Sequence, residues 1–431
     1  MSTPVASHLS PRPGVRLSGD TGAGSSPETG RPRPDGTGNR PDGLPDPGPD
    51  AVADADPVAD LSRRVLRPLA RRDQRRSGEL YIRGLLAATG RKTIRNIASH
   101  TGVPADAQRL HHFVSDSTWC WRPVRDALAR HMGRLAPPRA WVVHTATMPR
   151  TGRGGVGVDY FADRGTGRSV NGQRAVGLWA VSEWGGYPVD WHLQLTSRWL
   201  DDAHLRAQAR IPADTVAVDG VGAGLEMVLG TAPAVGAPRP PVLLDARQAS
   251  AGRVAALLGA GGFPYLLRIS ASQLLTPLTT EGRGTGRAVT ARQLAGGLAP
   301  RRFSRLRTPA PGAGHREVAR VPCQTADTPP GPRRRQLLLA QKDPLSPLDT
   351  AFWLTDLTAL STAALVRLAA TAAQLAQDVT VTGRGIGLYD FEGRTFAGWH
   401  RHITLASAAH AAALLLRPGA GAGPPWTDLT R

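Results

Sequence analysis

Three short runs constrain this chain most: "DTVAVDGV" at 214–221, "PPVLLDAR" at 240–247 and "FPYLLRIS" at 263–270. Each is strand-length and apolar, and the first two end near an Asp. Between them lie "GAGLEMVLG" and "SAGRVAALLGAG", which are long and apolar enough for a helix each. Strands alternating with helices predict an α/β core with a mixed sheet. Upstream, "RAWVVHTAT" adds a β-rich run, followed by the Gly/Arg loop "MPRTGRGGVGVD". "QRAVGLWAVSEW", "GGY" and "PVDWHLQLTSRW" then read as a β-hairpin. Downstream, "QLLLAQK" and "AFWLTDL" resume strand character, and "STAALVRLAATAAQLAQ" and "HITLASAAHAAALLL" are helical.

Before residue 139 the grammar is helical. Leu80, Ile82, Leu85 and Leu86 fall on one side of a helix, and residues 91–132 divide into three short helices. Gly102 ends the first of these, Pro104 and Asp106 start the next, and Ser115-Asp116-Ser117 caps the third. Short basic helices with tight turns suit a helix-turn-helix-like DNA module, and equally a plain helical bundle with exposed arginines. The expected plan is a disordered Pro/Gly-rich tail (1–60), a helical DNA-binding domain (61–137) and a core in two parts (138–270 and 336–417). An Arg/Pro/Gly-rich insertion with little core of its own, in part a β-ribbon (271–335), separates those parts, and a loose tail (418–431) follows.

The formal charge of +19 favours an acidic polymer as partner, and nucleic acid is the commonest. A competing explanation is codon bias: the only lysines are Lys92 and Lys342, and Ala, Gly and Pro abound. Two cysteines, Cys120 and Cys323, cannot build a disulfide framework or a Cys-based zinc site, and they read as free thiols in a reducing cytoplasm. No signal-peptide core or membrane-length apolar run is evident, so a soluble cytoplasmic protein is expected.

Candidate sites are few. "DGVGAG" at 219–224 has the glycines of a dinucleotide turn without its spacing, and a tight strand-to-helix turn explains it. In "FEGRTFAGWHRHITLASAAHA" the histidines at 400, 402 and 410 lack the i, i+4 spacing of a metal pair. Trp399, His400, Arg401 and His402 are read as lying at a helix entrance, with His402 or Thr404 near the N-cap and Arg401 placed to meet phosphate. High positive charge, a basic helical front end and strands ending near acidic residues together fit an enzyme that cuts phosphodiesters with carboxylate-held metal ions.

From about residue 66 to 417 the chain resembles the DDE-type transposases of bacterial insertion sequences, in the branch numbered 701. The resemblance is carried by "LARRDQRRSGELYIRGLL", "RKTIRNIASHTGV", "QRLHHFVSDSTW", "AWVVHTATMPRTG", "NGQRAVGLWAV", "PVDWHLQL", "QARIP" and "GLYDFEGRTFAGWHRHITLASAAHA". It implies an RNase H-like core, a mixed five-stranded sheet flanked by helices, with three carboxylates holding two divalent ions.

Carried over by position, the first carboxylate falls on His144 and the second is retained as Asp245, followed by Arg247-Gln248-Ala249. The third falls on Ala376, with its flanking basic positions on Ala372 and Gln374 and a Lys position on Gly383. One carboxylate of three survives. The resemblance therefore implies a DNA-binding body with impaired catalysis, or a non-enzymatic regulator or decayed remnant. Mg²⁺, the expected ion of an active member, has no ligand set here. Arg91, Lys92, Arg95, Arg333, Arg334, Arg335 and Arg401 are the expected DNA contacts, and a homodimer is expected.

Overall fold

The computed structural model describes residues 56–100, 106–162, 167–231, 238–279, 284, 286–307, 315–327, 335–343 and 346–417. The two expected tails therefore lie almost wholly outside the described residues, as do Gly102 and Pro104.

Five helices open the fold: α1 (Pro57–Val65), α2 (Arg72–Ala87), α3 (Ile94–Ser99), α4 (Asp106–Ser115) and α5 (Arg122–Leu135). Asp56 caps α1 by accepting the N–H groups of Val58 and Ala59, with Pro57 at the first helical position. The buried face of α2 includes Tyr81, Ile82 and Leu85. Ser115 ends α4, and α5 starts at Arg122 without a side-chain cap. Ser115–Ser117 thus close α4 rather than cap the next helix, whose start is fixed by Pro123.

The sheet begins with β1 (Ala140–Pro149), β2 (Val158–Ala162), β3 (Ser169–Ser182) and β4 (Gly185–Gln194). β1 and β3 pair antiparallel with His144 opposite Gly177, and β3 folds back on β4 as the predicted hairpin. Short helices α6 (Ser197–Asp201) and α7 (Ala203–Gln208) follow. "DTVAVDGV" forms no strand, which corrects the expectation. Val216 is exposed, and the run serves only to deliver Asp219 as the cap of α8 (Gly220–Leu229).

β5 (Val242–Asp245), α9 (Ala251–Ala260) and β6 (Tyr265–Ile269) then complete a β-α-β unit, with β1, β5 and β6 mutually parallel. Gly224 lets α8 sit close on the sheet, since a Cβ there would lie 2.6 Å from the Val143 side chain.

The segment expected to have little core instead extends the sheet through β7 (Leu274–Pro277), β8 (Val289–Thr290), helix α10 (Ala291–Gly296), β9 (Ser304–Arg307) and β10 (His315–Thr325). Leu275, Val318 and Cys323 from it are buried in the common core. β11 (Gln336–Asp343) and β12 (Ser346–Thr355) return the chain, and β12 pairs antiparallel with β6. Among the described residues the result is a 12-stranded sheet in which β4-β3-β1-β5-β6 is the five-stranded unit expected, β12 and β11 continue it past β6, and the insertion strands β10, β7 and β8 follow.

Two helices close the fold, α11 (Thr362–Ile386) and α12 (Phe396–Leu415). Every residue from Gly398 to Ala412 is buried. A helix apolar or small on all sides belongs in the interior, and α12 packs between the front helices α1, α2, α4 and α5, the strand β4 and α11.

Candidate active site

Beside the middle of β1 and the end of β5, under α11, lies a cavity of about 770 Å³ that His144, Asp245 and Ala376 all line. The fold thus gathers the three positions the sequence singles out. β1 brings His144, the last residue of β5 is Asp245, and α11 lays Ala372, Ala373 and Ala376 across the opening.

Burial pushes the His144 imidazole down to about 4, so it is neutral near pH 7. For Asp245, burial works to raise the carboxyl pKa. The hydrogen bonds from the Arg247 side chain and backbone N–H, with the charges of Arg247 and Arg268, outweigh it, and the group stays below the usual carboxylate range. The Arg247 side chain grips both carboxylate oxygens: Nη2 to Oδ2 at 2.6 Å and Nε to Oδ1 at 2.9 Å. Asp219 also lines the cavity, but its Oδ1 accepts the Gly222 N–H at 2.7 Å as the α8 cap.

A pair of hard divalent ions needs several oxygen ligands. Here a neutral imidazole stands at the first position, the carboxylate at the second is occupied by a guanidinium, and a methyl group stands at the third. Among the described residues no group of three or more His, Cys, Asp or Glu side chains is placed to hold a metal ion. The residues present do not fit a two-metal centre.

The expected DNA contacts divide. Arg91 and Arg95 are exposed, with Arg91 paired to Glu392 at 2.5 Å, and Arg335 is exposed at the start of β11. Arg333 and Arg334 lie outside the described residues. Lys92 and Arg401 are corrected: both are buried. Lys92 donates through Nζ to the Ala88 carbonyl, while its backbone N–H meets Asp390. Arg401 donates to the carbonyls of Trp119 and Val114, tying α12 to the end of α4 and the loop after it. Its expected place at a helix N-terminus fails because α12 starts earlier, capped by Thr395 Oγ1, which accepts the Gly398 N–H at 3.1 Å. His402 and Thr404 are therefore mid-helix.

The histidines of the closing stretch are structural. His402 takes Tyr81 Oη at 2.9 Å on Nδ1 and donates from Nε2 to the Gly387 carbonyl. His400 lies flat against Trp121 at 4.6 Å and accepts from Arg125 Nη2 at 3.0 Å.

Sequence reasoning missed Arg174 and Arg268 and gave Arg247 no role, although all three share the cavity with Asp245. The register of β5 and β6 sets Asp245 opposite Arg268, on one face of the sheet. The signal was present in "FPYLLRIS", where a single charge interrupts an apolar strand.

The strand order β4-β3-β1-β5-β6, with β3 antiparallel to β1 and β5 and β6 parallel to it, defines an RNase H-like fold of the kind DDE nucleases use, helices flanking the sheet. The model of the DDE superfamily endonuclease family matches residues 64–309, more than half of the chain, and the protein belongs to that family. No curated protein matches the sequence. Among the described residues no helix is long and apolar enough to cross a membrane.

Proposed function

We propose that this protein is a transposase-derived DNA-binding protein of the insertion-sequence 701 branch that has lost strand cleavage and binds no catalytic metal. The observation that carries the reading is the state of the three ligand positions: Asp245 is held bidentately by Arg247, with His144 and Ala376 at the other two. DNA affinity is supported by the +19 charge and by the exposed Arg91 and Arg95.

The test is strand nicking on supercoiled DNA and on DNA carrying terminal inverted repeats, with Mg²⁺ and with Mn²⁺. DNA should be bound and left intact. Robust cleavage abolished by Asp245→Ala would overturn the reading.

A regulator that binds inverted-repeat ends is the second reading, supported by the same exposed arginines. It requires preference for those ends over unrelated DNA, with affinity falling steeply as salt rises through counterion release.

A further inference from the structure

The cavity between the middle of β1 and the end of β5 has a charge pattern unlike that of a metal centre. Arg174, Arg247 and Arg268 line it against Asp219 and Asp245. Asp219 caps α8 and keeps its charge, and Asp245 is paired with Arg247. Three guanidinium groups against two carboxylates leave the balance positive.

Arg268 is the clearest part of that excess. Its guanidinium lies over the Trp353 ring, 5.1 Å from the centroid, and donates no hydrogen bond to a described residue. Burial and the neighbouring Arg247 both disfavour its charge, and Asp245 only partly offsets them. An incoming anion would relieve this repulsion. Arg247 binds Asp245 through Nε and Nη2, so Nη1 is left for a second acceptor. Planar guanidinium groups match phosphate oxygens bidentately.

Size and continuity indicate which phosphate. A space of about 770 Å³ is on the scale of a small ligand and admits one strand, not a duplex. Thr147 also lines a second cavity of about 810 Å³, further along β1 and α11, where Arg150 and Arg384 stand with Asp390 and with Arg91, itself paired to Glu392. A free phosphate would use one end of this cationic track, whereas a polymer would use both.

We infer that the cavity is a metal-independent phosphate site, in which Arg268 and Arg247 take the place of divalent ions and hold the backbone of a single-stranded nucleic acid. The inference is separate from the duplex-binding reading above: either can fail while the other holds.

The experiment measures fluorescence anisotropy of a labelled single strand of roughly ten nucleotides, within the usual range for one binding groove. The full chain is titrated in EDTA and again in Mg²⁺, beside a duplex of the inverted repeat. Single-strand affinity should be the same in both buffers. Arg268→Ala should weaken it about tenfold or more, as loss of a charge-assisted contact does, while the duplex arm is unchanged. Arg247→Ala, at an exposed turn, should do likewise and serves if the Arg268 variant does not fold. Ala376→Glu should weaken binding by adding a negative charge, whereas a metal-mediated site would gain from it. Inorganic phosphate should displace the strand. A requirement for Mg²⁺, wild-type affinity in a folded Arg268→Ala or Arg247→Ala variant, or uptake of inorganic phosphate with no strand binding would overturn the inference.

Discussion

Asp245, the last residue of β5, has both carboxylate oxygens on the guanidinium of Arg247 two residues downstream, at 2.6 and 2.9 Å. Arg247→Ala removes the strongest opponent of burial, so the Asp245 pKa should rise. Titration of the carboxyl carbon by NMR in Asp-labelled protein reads this directly, and an unmoved midpoint would refute it. Both side chains are about half exposed, so the stability lost should be below about 1 kcal/mol.

Acid should destabilise the protein through α12. Burial holds His402 and His410 at about 4 and His400 well below its usual value. The unfolded chain takes up protons near the ordinary value of 6.5 that the folded chain refuses. Stability is therefore complete above about pH 6.5 and falls as pH drops towards about 4, with a slope of about 1.4 kcal/mol per pH unit for each histidine. Urea unfolding across that window measures the slope. His410→Gln should reduce it by one histidine's share, and a flat profile would contradict the assignment.

Arg125 joins three layers. From α5 it donates to Thr404 Oγ1 at 2.8 Å, His400 Nδ1 at 3.0 Å, the Trp191 carbonyl at 2.9 Å and Asp190 Oδ1 at 2.8 Å. Arg125→Ala strands several of these acceptors in the interior and should cost about 3–5 kcal/mol in chemical denaturation. A loss under about 1 kcal/mol would mean that the front helices do not depend on this anchor.

Patterns local to one element could be read directly. The apolar strands β5 and β6, the β3–β4 hairpin and the long helices are legible because their periodicity is carried by their own residues. "DTVAVDGV" misled because Val216 and Val218 alternate like a strand, yet no neighbouring strand pairs with them among the described residues. Arg401 and Lys92 misled for another reason. Charge in a sequence suggests solvent, and only tertiary contacts show that a guanidinium caps carbonyls from α4 and the following loop. The positions of His144, Asp245 and Ala376 came from motif resemblance, but the placing of Arg268 beside Asp245 required the β5–β6 register.

That division makes the surface arginines separable from the buried ones. Arg95→Ala should weaken DNA binding and lower the salt slope of log K by about one, with the melting temperature unchanged. Arg401→Ala should do the reverse, lowering the melting temperature while leaving the affinity of the folded fraction intact. Gel-shift titration over a salt series beside calorimetry distinguishes them, and equal effects from the two variants would sink the distinction.

Restoring carboxylates tests the ligand positions themselves. The combined change His144→Asp, Ala376→Glu and Arg247→Ala puts acidic groups at all three positions and frees Asp245. Without metal the variant should melt below the wild type, because like charges crowd a half-buried cavity. Adding Mn²⁺ should then raise its melting temperature in a concentration-dependent way, as binding to the folded state alone requires, and the wild type should show no such shift. If the triple variant stays unresponsive to Mn²⁺, the middle of β1, the end of β5 and the face of α11 do not converge on a metal, and the loss of cleavage would need a cause other than the missing ligands.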